Sequence, residues 1–253
     1  MATSHQRRII IGDVHGHYDG LVALLDQVAP GGDDQVYFLG DLIDRGPRSA
    51  DVIDLVRFHH FHSLLGNHEQ MLLQSFPKSG QSNALQAWLH SGGNSTISSY
   101  RDWDQLLEHL DWIRRLPLYK DLGDVWLVHA GIHPTLPLAM QTANELCWIR
   151  DDFHSMGQPY FEDKLVITGH TITFTLPGVA PGELAQGHGW LDIDTGAYHP
   201  RSGWLTALDI DAWKVYQVNV FDQKQARVLP FDEVVTRINP RRVKVELPRL
   251  ASR

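Results

Sequence analysis

Cysteine is nearly absent from this chain. Cys147 stands alone among 253 residues, so no intrachain disulfide can form and no oxidising compartment is required. Positive charge is also short: 22 Lys and Arg stand against 30 Asp and Glu, a net charge of −8, which argues against a nucleic-acid partner held by phosphate neutralisation. Long apolar runs are missing as well. Nothing approaches a membrane span, and the three isoleucines before Gly12 are too few for a secretory h-region. The expectation is a soluble, cytoplasmic protein with no membrane partner, monomeric by default, and without internal repeats or low-complexity tracts.

What is present is a hydrophobic content of 43%, enough for a large core, and an unusual 15 histidines. An acidic balance still permits a phosphorylated substrate, because metals can carry the local positive charge. Ile9, Ile10 and Ile11 read as a short buried strand that stops at Gly12-Asp13-Val14-His15-Gly16. Leu21, Leu24, Leu25 and Val28 then form one stripe of an amphipathic helix. The unit repeats with Val36 to Leu39, the loop Gly40 to Pro47, and a helix bearing Val52, Leu55 and Val56. A third run, Ser63 to Leu65, reaches Gly66-Asn67-His68-Glu69 and a further helical pattern. Two crossovers of this length imply parallel strands with right-handed connections.

The stretch 79–116 reads as a helical insertion beside the site. One stripe is Leu85, Trp88 and Leu89; another is Trp103, Leu106, Leu107 and Leu110, and the tryptophans are expected in the core. Val125 to Val128 and Leu165 to Ile167 are further strands, separated by a helix-like stretch from Leu138 to Arg150. From Trp190 to Val220 the alternation predicts an antiparallel meander. From residue 223 the chain is an extension rich in Arg and Lys, including Arg241, Arg242, Lys244, Arg249 and Arg253, and reads as a solvated tail or edge-strand extension. The main unit is therefore expected over 1–222.

Five of the strands end in Asp13 and His15, Asp41, Asn67 and His68, His129, and His170. A lone Asp-x-His or Asn-His is more often a turn or a cap than a ligand, but five strand ends in succession is a joint pattern. Ligands bind beyond the carboxyl ends of such strands. Oxygen and imidazole donors without thiolate suit two divalent ions such as Mn²⁺, Fe²⁺ or Zn²⁺, and two ions about 3.5–4 Å apart need a bridging carboxylate, for which Asp41 is the candidate. His59, His60 and His62 lack this context and are expected at the surface.

The blocks GDVHG (12–16), GDLIDRG (40–46), GNHE (66–69), HAG (129–131) and GHT (169–171) resemble, in order, the signature of the phosphoprotein phosphatase family of metallophosphoesterases. The GNHEQM, WLHSGG, Trp148-Ile149-Arg150 and DTGAY stretches resemble its bacterial Ser/Thr protein phosphatases. The resemblance implies an α/β fold, a β-sandwich flanked by helices in four αββα layers. It also implies one metal held by Asp13, His15 and Asp41 and a second held by Asp41, Asn67, His129 and His170, with manganese the expected ion in vitro and iron or zinc as alternatives. His68 would be the general acid, oriented by Asp44, while Arg45, Asn67 and Arg150 would bind the phosphate. A metal-bridging water would attack phosphorus in line, and the acid would protonate the departing alkoxide.

The resemblance implies a hydrolase of phosphoric monoesters, first a Ser/Thr protein phosphatase, acting on a phosphorylated protein or a small phosphoester. The alternative is diadenosine tetraphosphate hydrolysis. Leu65 matches that alternative, since many protein phosphatases carry Arg or Lys there. Asp44, Glu69, the Trp148 to Arg150 block and Thr171 match the phosphatases. A catalytically silent phospho-binding module is the third reading, and it would require loss of a ligand or of the acid.

Overall fold

The computed structural model describes residues 6–77 and 84–243. Residues 79–83 of the expected insertion, and Lys244, Arg249 and Arg253 of the basic stretch, lie outside the described residues. The chain begins with β1 (Arg8–Ile11), α1 (Tyr18–Val28), β2 (Gln35–Phe38), α2 (Ser49–Phe58), β3 (His62–Ser63) and α3 (Asn67–Ser75). Strands β1, β2 and β3 pair in parallel, as the two crossovers predict. Then come α4 (Leu85–Trp88), a wide turn at Leu89–Gly93, α5 (Asn94–Ser99) and α6 (Trp103–Ile113).

The second half runs through β4 (Tyr119–Asp121), β5 (Val125–Val128), α7 (Ala143–Trp148), α8 (Asp151–His154), β6 (Leu165–Thr168), β7 (Leu184–Gly187) and β8 (Trp190–Asp192). It closes with β9 (Trp204–Asp209), β10 (Lys214–Asn219), β11 (Ala226–Pro230) and β12 (Val235–Arg237). One mixed sheet has the order β11-β10-β9-β1-β2-β3 and the other β12-β7-β8-β6-β5-β4. The fold is α/β, two mixed sheets packed face to face with helices on their outer faces.

The period of two along each strand divides the core. In β1, Ile9 and Ile11 point toward α1, α2 and α6, while Ile10 points between the sheets at Leu208 and Leu191. In β5, Val125 and Leu127 face the sheet interface, whereas Trp126 and Val128 pack outward with Leu146 of α7 and Phe153 of α8. All of these side chains are buried, so a one-residue slip in either strand would turn apolar groups to the wrong layer.

Several sequence expectations need correction. The expected meander over 190–220 is divided: β8 pairs in parallel with β6 and antiparallel with β7, and only β9, β10 and β11 form a meander, in the other sheet. The loop after β8 carries the chain from one sheet to the other. Trp103 and Leu107 are exposed, because the buried stripe of α6 is Leu106, Leu110 and Ile113. The stretch 138–150 is a short 3-10 turn followed by α7, whose start is a Thr142 and Glu145 capping box. The chain from residue 223, read as a solvated tail or an edge-strand extension, takes the second form: it supplies an edge strand to each sheet, β11 on β10 and β12 on β7. Among the described residues no helix is long and apolar enough to cross a membrane.

Candidate metal centre and phosphate cleft

The carboxyl ends of β1, β2 and β3 in one sheet and of β5 and β6 in the other meet along one rim of the sandwich. The five predicted strand ends therefore converge, although they come from two sheets rather than one. Their loops bend sharply. Of the eight non-glycine residues with positive φ among the described residues, five are His15, Asp41, Asp44, Arg45 and His170. Such conformations persist only where surrounding structure over-determines them, and they concentrate at functional sites.

Two glycines permit the crossing of these loops. Gly40 has φ of 104°, and a Cβ there would stand 2.6 Å from the Gly66 nitrogen. Gly92, with φ of 115°, lets the insertion dock on Arg45, whose backbone N–H donates to the Gly92 carbonyl at 3.3 Å. Glu69 ties the loops from beneath. Its carboxylate accepts the N–H groups of Asp41 (2.9 Å), Leu42 (2.8 Å) and Gly66 (3.0 Å).

Asp41 belongs to two clusters of potential ligands, one with His15 and His68 and one with His129 and His170, all buried. Its Oδ1 faces His129 Nε2 at 3.4 Å and its Oδ2 faces His15 Nε2 at 3.6 Å. Asn67 Oδ1 lies 2.9 Å from His129 Nε2 and 2.8 Å from His170 Nδ1. Asp13 is buried behind these groups; its oxygens accept the His170 N–H, and Oδ2 stands 4.0 Å from His15 Nε2.

The proton arrangement tests whether cations fit. His129 Nδ1 faces the Leu39 carbonyl and His15 Nδ1 faces the Ile43 carbonyl, both at 2.9 Å, so each donates there and turns an Nε2 lone pair inward. Those lone pairs meet the oxygens of Asp41 and Asn67 with no proton to share. His170 Nε2 is buried without a hydrogen-bond partner among the described residues. Burial holds His15, His129 and His170 below the usual imidazole range, in the neutral form that ligates metals. Burial would raise the Asp41 carboxyl, but any positive charge on His129, His68, His15 or His170 lowers it, and the net shift is downward. Burial pushes Asp194 up to about 6 and Asp13 well above the carboxylate range, and in both the charge of Asp41 adds to the rise. Convergent lone pairs among crowded buried carboxylates form a donor set that fits divalent cations.

Above the clusters lies a polar cleft of about 230 Å³ lined by His15, Asp41, Arg45, Asn67, His68, Arg150, His170, Ile172, Thr175, Asp194 and Tyr198. His68 Nδ1 lies 2.6 Å from Asp44 Oδ2, and Arg45 Nη2 lies 3.1 Å from His68 Nε2. Burial lowers the His68 pKa, yet Asp41 and the bond to Asp44 more than offset it, so the net shift is upward. Arg45 stacks on Tyr198, 3.9 Å from its ring centre, and Arg150 donates to the His170 carbonyl and Thr171 Oγ1. The predicted site residues Asp13, His15, Asp41, Asp44, Arg45, Asn67, His68, His129, Arg150 and His170 all lie at this rim.

Sequence reasoning missed several partners. Trp88 Nε1 donates to Asp44 Oδ2 at 2.8 Å and Thr96 Oγ1 donates to Asp44 Oδ1, contacts spanning 44 and 52 residues that no local signal announces. Asp194 and Tyr198 belong to the DTGAY stretch, noted above without a role. His59, His60 and His62 are exposed as expected and line a wider groove of about 850 Å³ at the opposite, amino-terminal end of β2.

The sequence pattern of the calcineurin-like phosphoesterase family matches residues 7–192. A symmetrical bis(5′-nucleosyl)-tetraphosphatase from Cronobacter sakazakii is 38% identical over 151 residues, which are 54% of this chain and 48% of that protein. The chain spans about half the length of the curated relatives it matches. Among solved structures, a protein provisionally described as a diadenosine tetraphosphatase superposes with a TM-score of 0.63 at 21% identity, covering 86% of this chain and 95% of that one. A protein serine/threonine phosphatase from Saccharomyces cerevisiae superposes at 0.57 with 15% identity, covering 86% and 74%. At these identities the superpositions speak for the fold alone.

Proposed function

The chain belongs to the calcineurin-like phosphoesterase family, and from that premise we propose that it is a metal-dependent hydrolase of dinucleoside tetraphosphates. The observation that carries the chemistry is the single carboxylate of Asp41 shared by two buried histidine clusters. The substrate class follows the curated relatives, which reverse the order of preference read from the motifs.

His15, Asp41 and Asp13 would hold one divalent ion, and Asp41, Asn67, His129 and His170 the other. Two ions held there supply a water of lowered pKa and neutralise charge on the phosphoryl oxygens. The chain's own residues do the rest. Arg45 and Arg150 enter the same cleft and offer planar paired donors to the phosphoryl group. Arg45 has only donors, so in this arrangement His68 carries its proton on Nδ1, toward Asp44, and presents a bare Nε2. Drawing Arg45 onto a phosphate frees Nε2 to take up a proton from solvent, and the imidazolium so formed, held by Asp44, can pass that proton to a leaving oxygen.

A second reading, release of phosphate from phosphoserine or phosphothreonine, is favoured by that His68 and Asp44 pair. A nucleoside diphosphate departs as a stable anion, whereas an alkoxide needs a proton. Product analysis decides between them. With manganese, diadenosine tetraphosphate should give two molecules of adenosine diphosphate, at a kcat/KM at least tenfold above that for a phosphoserine peptide. Turnover of the peptide alone would overturn the first reading and establish the second.

A further inference from the structure

Two loops pack against each other beside the cleft: the turn Thr173–Thr175 after β6, and the loop over 196–203 that leads into β9. Thr175 and Tyr198 line the cleft. Phe174 and His199 adjoin them in the chain, and the His199 ring lies 6.2 Å from that of Tyr198. The Phe174 and His199 rings meet edge to face at 5.0 Å, and the Arg201 guanidinium lies 4.8 Å above the Phe174 ring.

This wall is held in place. The Gly203 N–H donates to the carbonyls of Gly196 (3.2 Å) and His199 (2.9 Å), closing the second loop on itself. A Cβ on Gly196 would stand 2.8 Å from Ile172 Cγ2 and 3.2 Å from the Phe174 ring, so the two loops touch. The Arg201 N–H donates to His199 Nδ1 at 3.1 Å, which leaves the His199 proton on Nε2, available as a donor. Arg7, Arg8 and Arg48 are each paired with carboxylates, but Arg201 makes no ion pair among the described residues. An exposed, unpaired guanidinium fixed over an aromatic ring, in a chain of net charge −8, has its N–H edges free for an anion.

We propose that Phe174, His199 and Arg201 form a subsite for a nucleoside diphosphate group. The Phe174 and His199 rings take the base, and Arg201 takes a phosphate other than the one held by Arg45 and Arg150. The choice of a nucleotide rests on the proposed substrate class. A phosphate chain needs cations beyond those of the cleft, and a base stacks on aromatic groups whatever its identity.

Calorimetric titration of the manganese-loaded protein with adenosine diphosphate and with inorganic phosphate tests the subsite without turnover. Arg201→Ala and Phe174→Leu should each weaken adenosine diphosphate about fivefold to tenfold while phosphate stays within twofold. Thermal unfolding of both variants checks that they fold. The proposal is overturned if wild-type protein binds the nucleotide no more tightly than phosphate, if the variants leave the nucleotide unchanged, or if both ligands weaken in equal proportion. An acidic phosphoserine peptide weakened where the nucleotide is not would reassign the surface to a phosphoprotein and overturn it too. Turnover of diadenosine tetraphosphate is measured alongside: no turnover with nucleotide discrimination intact would sink the substrate reading and leave the subsite standing.

Discussion

His68 Nδ1 lies 2.6 Å from Asp44 Oδ2, and both side chains are buried. The pair is useful only where a leaving oxygen needs a proton, so its effect depends on the substrate. His68→Asn should lower kcat on phosphoserine about 100-fold or more and on p-nitrophenyl phosphate less than tenfold. Steady-state kinetics on the two esters checks this, and equal losses on both would remove His68 from the role of acid.

Asp44 is held on its other sides by Trp88 and Thr96. Trp88→Phe keeps most of the buried ring but removes the indole donor to a carboxylate, a bond worth about 2 kcal/mol. The variant should unfold at lower urea concentration, and its loss of kcat on phosphoserine should exceed that on the aryl ester. Lower stability with unchanged selectivity between the esters would make Trp88 a packing residue only.

These contacts mark where sequence reasoning reached its end. Asp13, Asp41, Asn67, His129 and His170 were legible because each follows a β-branched or apolar run, and a parallel strand delivers its carboxyl end to a known rim. That those strands divide between two sheets was not legible from patterning, since a buried strand reads the same in either. The route of the chain after β8, and the docking of Trp88 and Thr96 on Asp44, depend on pairings far apart in sequence. Glu69 had a local signal, the capping spacing from Gly66, but its grip on the Asp41 loop appears only in three dimensions.

The His17 ring is partly buried, and burial lowers its pKa from 6.5 to about 4. The folded protein keeps this imidazole neutral while the unfolded chain takes up a proton below pH 6.5. The contribution to stability is thus complete above 6.5 and is lost as the pH falls toward 4. His17→Asn retains a side chain suited to the position before α1 and removes the titration. Urea midpoints measured at several values between pH 7 and 4.5 should fall less steeply in the variant, and parallel slopes would show that the linkage lies elsewhere.

Asp41 offers one oxygen to each histidine cluster, Oδ1 toward His129 and Oδ2 toward His15, so the two sites cannot be emptied independently through this residue. Calorimetry with manganese should count two ions in wild-type protein, one in His170→Ala and none in Asp41→Asn. Ions that bind only the folded chain raise its stability by about 2.7 kcal/mol at 100 times their dissociation constant. Manganese should therefore raise the melting temperature of the wild type most, of His170→Ala less and of Asp41→Asn not at all, and a chelator should reverse each rise. Asp41→Asn still has the neutral imidazoles of both clusters, so a loss of both ions cannot be attributed to missing nitrogen donors. If it retained one ion at wild-type affinity, Asp41 would serve a single site, and the bridge would have to be another carboxylate.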